Sequence, residues 1–193
     1  MTTVYLARHG ESDWNAENRF QGRSDRALTE RGRGQAEALA EALASTPLDG
    51  VYASPLRRAL ETAEIVAARQ GLDPVPVADL SEIDVGGWAG LSRAEVETRF
   101  PERFQRWLGG GEGWADGETY ERMAARVLSA VRLIAEKHPD GNVLVVTHGG
   151  PMRAIHAVAH GMDLHAYRLQ HRVEPNARLS AVAVEDGKIT RLD

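Results

Sequence analysis

The stretch NVLVVTHGG, Asn142 to Gly150, restricts the folds open to this chain more than any other. Its core, Val143 to Val146, is an unbroken apolar run. Such a strand is buried on both faces and belongs in a parallel sheet covered by helices. The run ends abruptly in Thr147-His148-Gly149-Gly150. A second strand, Thr3 to Ala7, ends in the same manner, in Arg8-His9-Gly10.

The remaining pattern alternates as a parallel sheet requires. The polar stretch from Glu11 to Leu28 has no period and reads as a loop. Thr29 to Ala44 reads as a helix with Thr29 as N-cap and Ala36, Leu39, Ala40 and Leu43 inward; Gly32 and Gly34 weaken its first turns. DGVYAS forms a short strand. SPLRRALETAEIVAARQG follows as a helix capped by Ser54, with Pro55 in its first position and Gly71 past its end. Its expected inward face is Leu56, Leu60, Ala63 and Ala67. An extended segment at Val75 to Val77 leads to the Gly-rich turn IDVGGWAGLS. Short helices are expected from Ser92 to Phe100 and from Pro101 to Leu108. The loop GGGEGWADGE precedes a long helix, Thr119 to Lys137, with Met123, Val127, Val131 and Ile134 on one side. Pro151 to Ala159 is helical, and RLSAVAVEDGKITRLD is a hairpin turning at Asp186-Gly187. The fold class is therefore α/β with a mostly parallel sheet. The 193 residues fit one domain, 1–193, with no repeat or linker.

The formal net charge is −5, which argues against a nucleic-acid partner. There is no cysteine, so thiol catalysis, disulfides and thiolate metal sites are excluded. No apolar stretch reaches membrane-spanning length, and MTTVYLAR lacks the pattern of a signal peptide. The expectation is a cytoplasmic protein without a membrane partner. Nothing in the sequence fixes its oligomeric state.

In a parallel α/β sheet, ligands bind outside the carboxyl ends of the strands. His9 and His148 both belong at that rim, each followed by glycine. Arg57 and Arg58 sit in the first turn of a helix, where the helix dipole disfavours cations. Arginines beside free N–H groups there suit a bound anion. Periodicity does not decide which of the two faces the site. Two histidines, arginines and a helix N-terminus make a cationic pocket on an acidic protein, and a phosphoryl group is the matching occupant. GGGEG is not followed by Lys-Ser/Thr, so it is not a nucleotide-binding P-loop. Imidazole can serve as the nucleophile, and neighbouring arginines favour its neutral form. Glu82 and Asp84, between a strand and the Gly-rich turn, are candidates to protonate a leaving alcohol. A zinc site of His9, His148 and Glu82 has suitable ligand types, but Arg8 and Arg58 would repel a cation. No metal and no cofactor are expected.

LARHGESDWN, RFQGRSDRALTERGRGQA, SPLRRALETA, LSEIDVGGWAG and VVTHGG together resemble the histidine phosphatase superfamily, in order and over nearly the whole chain. The resemblance implies a three-layer α/β/α sandwich of the phosphoglycerate mutase-like kind. It implies that His9 is phosphorylated during the reaction and that Arg8, Arg58 and His148 hold the phosphoryl oxygens. Glu82 takes the acid/base position, and Asp84 becomes a bystander. Asn15, Gln21 and Gly22 match loop positions lining the phosphate pocket, and the Gly149 N–H is a further donor. Two activities fit: hydrolysis of small phosphorylated metabolites, and cofactor-dependent phosphoglycerate mutase. ESDWN resembles the mutases, whereas FQGRSD and EIDVGGWAG resemble the phosphatases. The compact Ser92–Glu118 region favours hydrolysis.

Overall fold

A computed structural model describes residues 1–192; Asp193, the last residue of the expected hairpin, lies outside them. Six strands form one sheet: β1 (Thr2–Arg8), β2 (Gly50–Ala53), β3 (Pro74–Pro76), β4 (Asn142–Thr147), β5 (Leu179–Glu185) and β6 (Lys188–Arg191). Their order is β3-β2-β4-β1-β5-β6. The first four are mutually parallel, and β5 and β6 close one edge antiparallel. The helices are α1 (Asp13–Ala16), α2 (Glu30–Ala42), α3 (Arg57–Gln70), α4 (Arg93–Arg99), α5 (Pro101–Leu108), α6 (Tyr120–Glu136), α7 (Gly149–Ala159) and α8 (Leu164–Gln170).

Alternation along the central strands sorts side chains into two cores. Val4, Leu6, Val143 and Val145 point to one face, against Met123, Val127 and Val131 of α6 and Met152 and Ile155 of α7. Ala7, Leu144 and Val146 point to the other, against Leu39 and Ala40 of α2 and Ala59, Ala63 and Val66 of α3. The result is a three-layer α/β/α sandwich with a largely parallel centre. Each buried Leu, Ile, Val or Met adds roughly 1.5–3 kcal/mol of transfer free energy.

The register of the two central strands builds the site. Arg8 lies opposite Thr147 in the parallel β1–β4 pair. His9 and His148 therefore leave the sheet side by side. A second constraint acts just beyond, where α2 packs backbone to backbone on the loop after His9. A Cβ on Gly10 would stand 2.4 Å from the Gly32 carbonyl oxygen, and one on Gly32 would stand 2.1 Å from that of Glu11. Gly32 weakens the helix locally, and close approach is what it supplies in return.

Three local expectations are corrected. The Glu11–Leu28 loop contains the one-turn helix α1, capped by Ser12 in a reciprocal box with Asn15. Helix α3 begins at Arg57 with Leu56 as N-cap and no side-chain capping bond. Ser54 is not the cap: its hydroxyl is drawn to His148 instead, and Pro55 stays outside the helix. The inward face of α3 is Arg58, Ala59, Thr62, Ala63, Val66 and Ala67, so it includes Ala63 and Ala67 but not Leu56 or Leu60. An apolar stripe could not reveal that face, because two of its buried positions are polar. Gly71 closes α3 in the left-handed conformation, φ 66°.

Candidate active site

His9 is 2 % exposed and His148 is fully buried; their ring centroids lie 5.0 Å apart. His9 Nδ1 is 2.6 Å from the carbonyl oxygen of Gly10. A carbonyl only accepts, so the proton sits on Nδ1 and the lone pair on Nε2. Arg58 Nε donates to that Nε2 at 3.3 Å. Burial first, then the charges of Arg58 and Arg8, push the His9 pKa well below its ordinary value. The imidazole is neutral, with a defined nitrogen facing a guanidinium.

Arg58 is 1 % exposed. Its Nη1 and Nη2 donate to the carbonyls of Ser24 and Gly22, at 2.7 and 2.8 Å. Burial lowers its pKa to about 10, so it stays cationic at neutral pH. Arg57 is exposed, and its backbone N–H donates to Asp25. Arg8 reaches the carbonyl of Glu174 through Nη1 at 2.7 Å, and its Nε is buried without a hydrogen-bond partner.

His148 Nε2 lies 2.7 Å from Ser54 Oγ, and Nδ1 is buried without a partner. Ser54 Oγ also accepts the Leu56 N–H at 3.3 Å. The hydroxyl proton is free to point at Nε2, an arrangement that puts the ring proton on Nδ1, where it has no partner. His148 is also the N-cap of α7 and makes no side-chain capping bond. The first turn of a helix leaves N–H groups without intrahelical partners. One of them, Gly150 N–H, donates to the Glu82 carboxylate at 3.2 and 3.4 Å. A Cβ at Gly150 would stand 2.4 Å from Glu82 Oε1, so only glycine allows that approach. Gly149 lies beside it, at the start of α7.

The loop bearing Glu82 is tied down by Arg126 of α6, which donates to the carbonyls of Asp79, Ser81 and Glu82 and pairs bidentately with Glu118. Asp84 instead accepts the Gly86 N–H and shapes the turn. Among the loop positions, Asn15 lines a cleft of about 310 Å³ with Arg8, Trp14, Phe20, Trp107 and Val173. Gln21 lies one contact further back, accepting from Ser12 Oγ at 2.8 Å. Gly22 presents its carbonyl to Arg58. The predicted residues thus surround one rim of the sheet.

Sequence reasoning missed four contributors. Ser54 reads as a helix cap in the sequence but bonds His148 in the fold. Thr62, fully buried, accepts the Gly10 N–H at 3.0 Å and donates to the Arg58 carbonyl at 2.7 Å, joining the two strand-end elements. Asn176 donates to the His9 carbonyl and to Asn15 Oδ1, and Val173 packs on Gly149. Of these only Thr62, a polar residue within an apolar helix face, left a trace in the sequence. Among the described residues, no three His, Asp or Glu side chains are grouped to hold a metal ion. No helix of the described residues is long and apolar enough to cross a membrane.

Paired histidines at adjacent parallel strand ends, the buried Arg58, the part-buried Arg8 and a helix N-terminus make a cationic rim on an α/β sandwich, suited by charge to a phosphoryl group. The chain belongs to the histidine phosphatase superfamily, branch 1, whose model matches residues 4–192. Phosphoserine phosphatase 1 of Hydrogenobacter thermophilus is 37% identical over 166 residues, 85% of this chain and 79% of that protein. Phosphoglycerate mutase-like protein 4 of Arabidopsis thaliana is 36% identical over 163 residues, 79% of this chain and 69% of that protein. Among solved structures, Bacillus stearothermophilus YhfR superposes with a TM-score of 0.92 at 33% identity, covering 99% of this chain and 95% of that one. The protein is a histidine-phosphatase-type enzyme.

Proposed function

We propose that this enzyme hydrolyses small phosphomonoesters through a phosphohistidine on His9, within one catalytic domain spanning 1–193. The observation that carries the reading is the fixed tautomer of His9, with its unprotonated Nε2 facing Arg58. Nε2 attacks phosphorus, the P–O bond to the alcohol breaks, and the leaving oxygen takes a proton from the Glu82 carboxyl. Arg8, Arg58, His148 Nδ1 and the Gly149 N–H hold the equatorial oxygens, with Asn15, Gln21 and Gly22 shaping the pocket behind them. Glu82, now a carboxylate, takes a proton from water as the water attacks phosphorus. The P–N bond breaks, its electron pair returns to Nε2, and inorganic phosphate departs. The charges that neutralise the phosphoryl group are guanidinium and helix-terminal N–H groups, so the chemistry is metal-independent and needs no cofactor. The acidic body, of net charge −5, offers no general footing for nucleic acid. A soluble, cytoplasmic setting fits the intracellular supply of such esters.

The test is rapid quench into alkaline SDS after mixing with a ³²P-labelled phosphomonoester in the presence of EDTA. The expected result is an acid-labile, base-stable phosphoprotein and undiminished turnover. In His9→Ala the label vanishes and the rate falls by at least about 10³-fold. Loss of activity in EDTA with rescue by zinc would overturn the scheme. The mutase reading is favoured by the mutase-like relative. It predicts interconversion of 3- and 2-phosphoglycerate much faster than phosphate release.

A further inference from the structure

We propose that an arginine-lined cavity beside the catalytic cleft binds a second anionic group, a carboxylate or a second phosphate, carried on the leaving-group side of the substrate. This rests on the hydrolase reading and names the class of ester that the site prefers. The cavity holds about 550 Å³ and presents Arg93, Arg153, Arg168 and Arg172 with Trp107 and Val173. Arg93, Trp107 and Val173 also line the cleft that contains Arg8 and Asn15. Val173 in turn packs on Gly149, where a Cβ would stand 2.6 Å from its Cγ1. A chain leaving the phosphoryl site past the Trp107–Val173 wall therefore enters the arginine cavity.

Among the described residues none of these four arginines forms an ion pair, whereas eight other arginines of this acidic chain do. Arg153 donates only through Nη2, to the His171 carbonyl at 2.9 Å, and its Nε is buried without a partner. Arg168 is held by Gly110 O and by Tyr120, donating to its hydroxyl and lying over its ring. The carboxylates that act on Arg168, Glu112 and Glu121, line a separate cleft on its other side. Burial lowers the pKa of Arg153, and the neighbouring charge of Arg168 lowers it further. Arg153 and Arg168, partly desolvated and repelling each other with no carboxylate lining the cavity, are relieved by an anion, and guanidinium forks match carboxylate and phosphate alike.

The test uses three esters of one chain length: propyl phosphate, 3-phosphopropionate and 1,3-propanediol bisphosphate. Wild-type kcat/KM should favour at least one of the doubly charged esters over propyl phosphate by about tenfold or more. Preference for the carboxylate or for the bisphosphate identifies which anion the cavity takes. Arg172→Ala and Arg153→Gln should each cut that preference by about tenfold. Arg172 is exposed and makes no side-chain hydrogen bond among the described residues, so its variant keeps the fold. Equal kcat/KM for all three esters, unmoved by either variant, overturns the subsite and leaves the hydrolase reading standing. Release of phosphate from none of the three overturns the hydrolase reading itself.

Discussion

At the residue scale the site is governed by where single protons sit. His9 is held neutral by burial and by Arg58 and Arg8, and its tautomer is set by Gly10 O. The acid limb of kcat/KM, corrected for the second ionisation of the substrate phosphate near about pH 6, should therefore fall well below the ordinary histidine range of about 6.5. A limb at ordinary histidine pKa would show that His9 is not so buried in solution. The second proton belongs to His148. Ser54→Ala removes the donor to Nε2, and the ring can then move its proton from Nδ1, where the oxyanion needs it. Loss of an oxyanion donor costs about 10²–10³ in rate. With the donor only weakened, a drop of about tenfold to a hundredfold in kcat is expected, with KM little changed. Unaltered steady-state kinetics would sink that role.

At the scale of elements, the sequence was read correctly where a rule is local and uncontested. The expected N-cap Thr29 accepts a bond from its own helix, Gly71 ends α3, and the helices expected to start at Ser92 and Thr119 do so, with those residues found as their caps. Ser54-Pro55 obeyed the same local rule and still failed. A serine oxygen beside a buried imidazole relieves a larger desolvation penalty than a capping bond at the solvent edge. The glycines of α2 show the converse. Gly34 has open space around its Cβ position, whereas Gly32 lies against Glu11. Gly34→Ala should stabilise the protein by up to about 1 kcal/mol through helix propensity. Gly32→Ala should lose about 1–3 kcal/mol through overpacking and slow catalysis by displacing Gly10. Urea unfolding of the two variants checks the pair, and equal stabilities would contradict the close packing.

For the whole molecule, the price of the site is pH-dependent stability. His9, His148 and His156 all have lowered pKa values in the fold, chiefly through burial. The unfolded chain binds protons at these histidines as pH falls through about 6.5, and the folded chain does not. Stability should therefore be full above that pH and decline below it, by up to roughly 3 kcal/mol per pH unit for His9 and His148 together. Urea midpoints in phosphate-free buffer at descending pH would show this before most carboxylates titrate, and His148→Gln should flatten the slope; a midpoint constant from pH 7.5 to 5.5 would count against neutral buried histidines. The α/β class, the two strand ends carrying His9 and His148, and the five motif blocks were all legible in the chain, because hydrophobic period and strand-end punctuation are local signals. Periodicity left Arg57 and Arg58 open and only the resemblance chose Arg58, which the structure buries while Arg57 stays exposed; the tertiary structure alone decided that Ser54 serves His148 and that four arginines meet in one cavity. Those outcomes depend on helix rotation, strand register and long-range desolvation, which act between residues far apart in sequence and leave no periodic mark within it.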